Sequence, residues 1–421
     1  MGSWPEVVSS VEKPFRLPKD AAQAKGQGRL AIIGANLTGA YLALRLRVSS
    51  NQRAAGTSRV EGWIPWRRHL LLTLACVIGP AALFSQSPSE LDSRIARLDE
   101  SLDVLRRVYS IPSLSAAVVF EQRIIWERGF GFQDIARRVS ARPDTPYRTA
   151  SLTKTFTSAL LMQCVEQGTL SLDEPIRQYA AGIPEQGATV RHVLTHTSEG
   201  GPGSRFHYNG NRYAELTPVV ERCTGEPFRL ALARRVLDRL AMRDSVPGQD
   251  LDSPTPSLRQ MFDAGTLERY GGVLLRLALP YSRADPFRVR PSEFPPKMIN
   301  AAAGLVSTVR DLASYDVALD RHVLISELTQ QLAWTPAVST SGQTLPYGLG
   351  WFVQTYGGER LVWHFGSWPE SYSSLILKVP ARRLSFILLA NSGGLSAPFP
   401  MEEGDVTASS FAVVFLRIFL T

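Results

Sequence analysis

The sequence predicts an α+β fold, an antiparallel β-sheet flanked by helices with a helical subdomain beside it. Three observations carry this. β-rich runs stand near 115–129 and again at 360–390. Helical patterning and proline-rich loops fill the stretch between them. Amphipathic helices bound both ends. Strands contributed from both ends of one chain segment must meet in one sheet, and the helices between them cover it.

The elements follow in order. Leu91, Ile95, Leu98, Leu102 and Leu105 recur at helical spacing, which predicts an amphipathic helix to about Val108. Pro112 ends the linker. Ser115 to Phe120 and Arg123 to Gly129 are β-rich and separated by Glu121-Gln122, the pattern of a hairpin. Ser151 opens an apolar helix to about Gln167. Residues 176–300 read as helices joined by proline-rich loops. Pro286, Pro291, Pro295 and Pro296 mark 281–297 as an ordered surface loop. Arg360 to Phe365, Ser373 to Val379 and Leu384 to Ala390 read as strands, and about Asp405 to Leu420 as the last helix. No internal repeat is visible.

The first 87 residues read differently. Arg67-Arg68-His69 precedes an apolar run, Leu70 to Phe84, followed by Ser85-Gln86-Ser87-Pro88. Basic, apolar, then small polar residues form a secretory signal pattern. The run is short against the roughly 20 residues of a membrane span, so 67–87 is assigned as a signal peptide or a membrane anchor. If retained, residues 70–84 would associate with a membrane. The expected location is exported, periplasmic or secreted. A leader of 66 residues before a signal is out of place. The expectation is that translation begins later, for example at Val60. The run Leu30-Ala31-Ile32-Ile33-Gly34 followed by Gly39 lacks the G-x-G-x-x-G fingerprint and no βαβ unit follows it. Residues 88–421 are taken as one catalytic domain.

Composition narrows the function classes. The 421 residues are 44% hydrophobic and 20% charged, a globular balance rather than a disordered one. The net charge is +8. Its arginines are dispersed, without a basic run, so no nucleic-acid partner is expected. No CxxC, HExxH or zinc spacing occurs, and neither metal nor cofactor is expected. Cys76 lies in the apolar run. Cys164 and Cys223 remain as one candidate pair, bonded or free.

Chemistry enters at Ser151-Leu152-Thr153-Lys154. A hydroxyl and an amine three residues apart share one helix face. A serine hydroxyl attacks a carbonyl only when a neighbour takes its proton, and a lysine of lowered pKa can do so. With only six lysines in the chain, one at this spacing is informative.

Three segments then line up: Tyr147-Arg148-Thr149-Ala150-Ser151-Leu152-Thr153-Lys154, Phe206-His207-Tyr208-Asn209-Gly210-Asn211-Arg212-Tyr213, and Val362-Trp363-His364-Phe365-Gly366-Ser367. Together they resemble the serine β-lactamase-like superfamily, in the branch of class C β-lactamases, D-Ala-D-Ala carboxypeptidases, D-aminopeptidases and related esterases. His192 to Ser198, Gly304 to Thr308, Tyr347-Gly348-Leu349-Gly350-Trp351 and Leu388 to Asn391 look like further family segments. The resemblance covers about 90–420. It implies that Ser151 is the acylated nucleophile, Lys154 its proton partner, and Tyr208 a general base held deprotonated or proton-sharing by Lys154. It implies that His364 presents a donor to substrate, with Gly366 letting substrate approach the strand. The backbone N–H groups of Ser151 and Ser367 would form the oxyanion hole. His196 would be structural.

Two positions depart from the family pattern. The third residue of the Tyr-x-Asn motif is Gly210, leaving Asn209 or Asn211 to supply the amide. The strand triad carries His364 where β-lactamases carry lysine, which weakens capture of a β-lactam carboxylate. Both favour an esterase or peptidase over an efficient β-lactamase. The substrate is expected to be a small-molecule or peptide-like acyl compound. A non-catalytic or acylation-only sensor with the same fold is the alternative. An α/β-hydrolase is disfavoured by the absence of G-x-S-x-G. N-terminal sequencing of the native protein is expected to show a start well after Met1.

Overall fold

Alternation along the first strand decides the layering. From Ser113 to Phe120, Leu114, Ala116 and Val118 enter one apolar cluster while Ala117 and Val119 enter another, and all five are buried. Successive side chains point to opposite faces, so this strand is covered on both sides. A computed structural model describes residues 88–285 and 288–421. The leader 1–66, the segment 67–87 with its 70–84 apolar run, and Cys76 lie outside the described residues. The described residues belong to one compact unit, Ile78–Thr421.

In chain order the strands begin with β1 (Ser113–Phe120), β2 (Arg123–Asp134), β3 (Val139–Ser140) and β4 (Tyr147–Arg148). Next come β5 (Val246–Pro247), β6 (Tyr281–Asp285), β7 (Arg288–Pro291) and β8 (Leu305–Ser307). The last are β9 (Phe352–Tyr356), β10 (Glu359–Trp368), β11 (Tyr372–Val379) and β12 (Leu384–Ala390). Seven of them form the main sheet in the order β3-β2-β1-β12-β11-β10-β9, with antiparallel neighbours throughout. The first and last strand groups therefore meet at β1 and β12, with Leu114 opposite Ala390. The turn between β1 and β2 places Glu121 and Gln122 at φ 47° and 63°. Two successive positive φ values match the twist of a two-residue hairpin.

One face of the sheet carries two helices from the ends of the unit. Pro88–Val108 contributes Leu98 and Leu102, and Ser410–Leu420 contributes Phe411 and Phe415. Phe415 stacks on Phe386 of β12 with ring centroids 4.5 Å apart. Arg94 ties the two helices by donating to the carbonyls of Ile418 and Phe419 at 2.9 and 3.2 Å. The opposite face packs against the Thr153–Glu166 helix through Phe156 and Leu160, and against Val309–Asp320 through Leu312 and Tyr315. Lys378 of β11 is buried there, paired with Asp316 at 2.5 Å and Asp320 at 2.9 Å.

Four details differ from the sequence expectation. The apolar helix starts at Thr153, preceded by a 3-10 turn at Ala150–Leu152. The 281–297 stretch is not all loop, because β6 and β7 pair within it. Strand β9 was absent from the expectation; Gly348, Gly350, Gly357 and Gly358 crowd its flanks and mask the pattern. The last helix begins at Ser410, after a short 3-10 turn at Val406–Ala408.

Cys164 and Cys223 are bonded, Cα to Cα 5.9 Å, across 59 residues of sequence. The bond fixes the Thr153–Glu166 helix to the Thr217–Thr224 helix. Closing a loop of that size removes unfolded-state entropy worth about 4 kcal/mol. Cys164→Ala with Cys223→Ala is expected to lower urea-unfolding stability by about 2–4 kcal/mol. Reductant should reproduce that loss in the native chain and have no effect on the double variant.

Candidate active site

The 3-10 turn at Ala150–Leu152 sets the geometry. Lys154 follows in the first turn of the Thr153–Glu166 helix, three residues on and on the same side, and its Nζ donates to Ser151 Oγ at 2.8 Å. The turn is entered through Ala150 at φ 49°. A residue with a Cβ resists the left-handed region by about 1–2 kcal/mol, so neighbours must hold it. Thr149 N and Oγ1 both donate to Leu305 O, at 2.9 and 3.0 Å. Ser374 Oγ donates to Thr149 O at 2.7 Å, and Thr153 Oγ1 to Ala150 O at 2.8 Å. The turn is thus pinned to β8 and β11.

Strand β10 closes over it. A Cβ placed on Gly366 would lie 2.2 Å from Thr149 O and 2.2 Å from Ser374 Oγ. Any side chain there would force the strand away from the nucleophile turn. Ser367 follows and stands opposite Ser373 of β11. Gly366 therefore lies against the turn that carries Ser151, with Ser367 next in the strand.

Lys154 is 1% exposed and has no carboxylate partner among the described residues. Besides Ser151 it donates to Ala302 O at 3.3 Å. Burial penalises its ammonium and lowers its pKa to about 7. Near neutrality it therefore exists partly as the free amine, the form able to accept the Ser151 proton.

Tyr208 stands beside this pair in an unexpected relation. Lys154 Nζ lies 5.0 Å from the centre of the Tyr208 ring and 5.5 Å from that of Tyr213. The amine faces the ring faces. The Tyr208 hydroxyl is buried and makes no hydrogen bond of ordinary geometry. Burial raises the pKa of this phenol well above its usual value, and the nearby Ser151 hydroxyl offsets this only in part. The direction of this shift disfavours the deprotonated form expected of Tyr208 and does not touch the proton-sharing alternative.

His364 is also placed differently. It is fully buried, with Nδ1 2.7 Å from Phe365 O and Nε2 2.8 Å from the Tyr347 hydroxyl. Burial, with Lys154 nearby, holds its pKa well below 6.5, so the ring is neutral. A carbonyl can only accept, so Nδ1 donates to Phe365 O and Nε2 accepts from Tyr347. The expected donor to substrate is committed internally. Tyr347, from the Tyr-Gly-Leu-Gly-Trp segment, is the residue whose role sequence reading missed; its motif was visible but its hydrogen-bond partner was not.

Neither flanking asparagine brings an amide to Lys154. Asn209 Oδ1 accepts from the backbone N–H of Asn211 and Arg212 at 3.0 and 3.2 Å, capping the short Gly210–Ala214 helix. Its Nδ2 donates to Glu199. Asn211 is exposed on that helix. Gly210 itself faces the site, since a Cβ there would lie 3.7 Å from Lys154 Nζ. At the position where the resemblance expects an amide, no side chain stands beside the lysine. His196 is buried; its Nδ1 accepts from Asn209 N at 3.2 Å and its ring packs 4.5 Å from Tyr208. It supports the Tyr208 segment.

A buried amine beside a serine hydroxyl, with a strand edge closing over both, is an arrangement for acyl transfer. The beta-lactamase family pattern matches residues 92–404. The chain belongs to the beta-lactamase family. It is 23% identical over 304 residues to penicillin-binding protein 4* of Bacillus subtilis, covering 64% of this chain and 65% of that protein. It is 23% identical over 338 residues to a D-aminopeptidase of Gluconobacter oxydans, covering 71% and 59%. The chain thus spans about three fifths of the length of these curated relatives. An octameric penicillin-binding protein homologue from Pyrococcus abyssi superposes with a TM-score of 0.62 at 22% identity, covering 77% of each chain. At that identity the likeness is one of fold. Family membership supports serine hydrolase activity in general.

Among the described residues no His, Cys, Asp and Glu cluster could hold a metal ion, and no helix is long and apolar enough to cross a membrane. The lysine sets a pH dependence. Its neutral form accumulates as pH rises through about 7, so acylation of Ser151 should accelerate through that range. The initial burst of p-nitrophenol from p-nitrophenyl acetate should follow that limb in the native chain. Lys154→Met should abolish the limb and slow the burst by about 10²–10⁴-fold, the usual worth of general acid–base catalysis.

Proposed function

We propose that the protein is an exported serine hydrolase that cleaves carboxylic esters or amides through a Ser151 acyl-enzyme. The observation that carries this is the 2.8 Å contact between Ser151 Oγ and a buried lysine whose pKa falls to about 7. In the first half-reaction Ser151 Oγ attacks the acyl carbon while Lys154 Nζ takes its proton. The N–H groups of Ser151 and Ser367 stabilise the oxyanion. The leaving alcohol or amine departs with a proton delivered from Lys154. In the second half-reaction water attacks the ester at Ser151, its proton passes to the site base, and Ser151 Oγ leaves as the hydroxyl. Removing one oxyanion donor typically costs about 10²–10³ in rate.

Gly210 and His364 favour esters over β-lactams. Gly210 offers no side-chain amide to an acylamino carbonyl, and a neutral, internally bonded His364 offers no charge to a carboxylate. Export is supported by the basic, apolar and small-polar pattern of 67–87 and by the Cys164–Cys223 bond, since disulfides persist in oxidising compartments.

A second reading has its own support. Burial raises the pKa of the Tyr208 phenol, and the His364 donor is turned inward. These leave acylation equipped and deacylation less so, as in an acylation-only sensor.

The full chain should be assayed with p-nitrophenyl butyrate, nitrocefin and D-alanyl p-nitroanilide, with Ser151→Ala alongside. The expected result is steady ester turnover abolished in Ser151→Ala and nitrocefin turnover at least 10²-fold weaker. A single burst with a stable adduct on Ser151 by intact mass would select the sensor. No turnover and no adduct would refute both.

Installing the family amide with Gly210→Asn should shift the balance. The ratio of amide to ester kcat/KM is expected to rise about tenfold or more, one good hydrogen bond to the substrate being worth about 1–2 kcal/mol. An unchanged ratio would remove Gly210 from the account of specificity.

A further inference from the structure

Beside the Ala264–Leu274 helix lies a cavity of about 500 Å3 that the chemistry above does not use. Its walls are Leu274, Leu275, Leu277, Leu279 and Phe294, with Gly271 as a bare patch on the helix side. Its polar neighbours are already engaged. Lys297 Nζ bonds Asp252 at 2.6 Å, and Gln249 Oε1 accepts from Arg148 at 3.0 Å. A pocket of this size with a mostly apolar lining suits a flexible hydrocarbon chain.

The helix itself is shaped for the opening. Gly271 and Gly272 stand within it, although glycine is among the least favourable helix residues. Packing does not require them, because an added Cβ at either position would meet no atom within 4 Å. At Gly271 the space that a side chain would fill is the cavity. Leu275 is 90% exposed and Met298 72% exposed at this surface, so the apolar lining continues outward.

Two series of contacts run from the cavity wall toward the Ser151 site. Phe294 stacks on Tyr372, centroids 6.5 Å apart, and Tyr372 pairs with Trp368, the residue after Ser367. The segment from Phe294 also runs on to Ala302, whose carbonyl accepts from Lys154. Along it, Arg148 fixes the loop by donating to Pro295 O at 3.0 Å and Pro296 O at 2.6 Å. Arg148 lies three residues before Ser151.

We propose that this cavity receives the apolar tail of the acyl substrate, which makes the protein a hydrolase of acyl compounds carrying a medium-length hydrocarbon chain. The proposal rests on the acyl-enzyme reading. Gly271 is then a specificity-determining position, kept small so that the tail can enter.

The test is a chain-length series of p-nitrophenyl acetate, butyrate, octanoate and dodecanoate with the full chain and Gly271→Trp. The expected kcat/KM rises at least tenfold from acetate to octanoate in the native protein. In Gly271→Trp that rise disappears while the acetate rate stays within about twofold. Gly271→Ala, which adds one methyl, should keep the native profile with a melting temperature equal to or slightly above the native one. No rise in the native chain, or an unchanged rise in Gly271→Trp, overturns the proposal. A rise that survives Gly271→Trp but is lost in Leu275→Asp together with binding to phosphatidylcholine vesicles assigns the patch to a lipid surface instead, and also overturns it. Calorimetry with decanoic acid on Ser151→Ala gives a readout free of turnover. Saturable binding lost on adding Gly271→Trp supports the tail site, and binding that persists refutes it. Failure of every ester with no Ser151 adduct would sink the hydrolase reading, while the calorimetry would still decide the cavity.

Discussion

Burying an amine without a counter-ion is the constraint around which this molecule is arranged. Lys154 and Lys378 are both 1% exposed, yet their pKa values move in opposite directions. Lys378 meets Asp316 and Asp320, and its ammonium is retained. Lys154 meets a hydroxyl, a carbonyl and two aromatic rings, and gives up its proton near neutrality. Desolvation acts on both; only the partners differ. A charged group in such a place must be paired or neutralised, and the two lysines show one solution each.

That environment depends on long-range packing. Lys154 stays dry because Ala302, Tyr208 and Tyr213 come from separate parts of the helical region. Ser151 keeps its orientation because β8 and β11 hold Thr149, and because Gly366 lets β10 approach without a side chain between. The disulfide from the nucleophile helix to Thr217–Thr224 adds a covalent tie to the same region.

The legible parts of the sequence were those governed by local rules. The β1–β2 hairpin, the strands β10, β11 and β12 and both bounding helices show period-two or helical patterns within single segments. The Ser151–Lys154 contact was legible because its spacing is itself the geometry. What escaped depends on partners far apart in sequence. Nothing near His364 says that Tyr347 would take its ring nitrogen, 17 residues away. Asn209 looked like a candidate amide because its role as a helix cap, with Glu199 as second partner, needs the folded turn. The contacts of Tyr208 were not legible because a ring face and a hydroxyl offer an amine quite different contacts, and sequence does not say which is turned toward it.

The two bounding helices have a consequence of another kind. Pro88–Val108 and Ser410–Leu420 lie together on one face of the sheet, laced by Arg94, while the nucleophile helix packs on the other. The beginning and end of the catalytic unit are therefore neighbours, insulated from the chemistry by a full layer of β-structure. Joining them with a short linker and opening the chain at an exposed loop would give a circular permutant with the same interior.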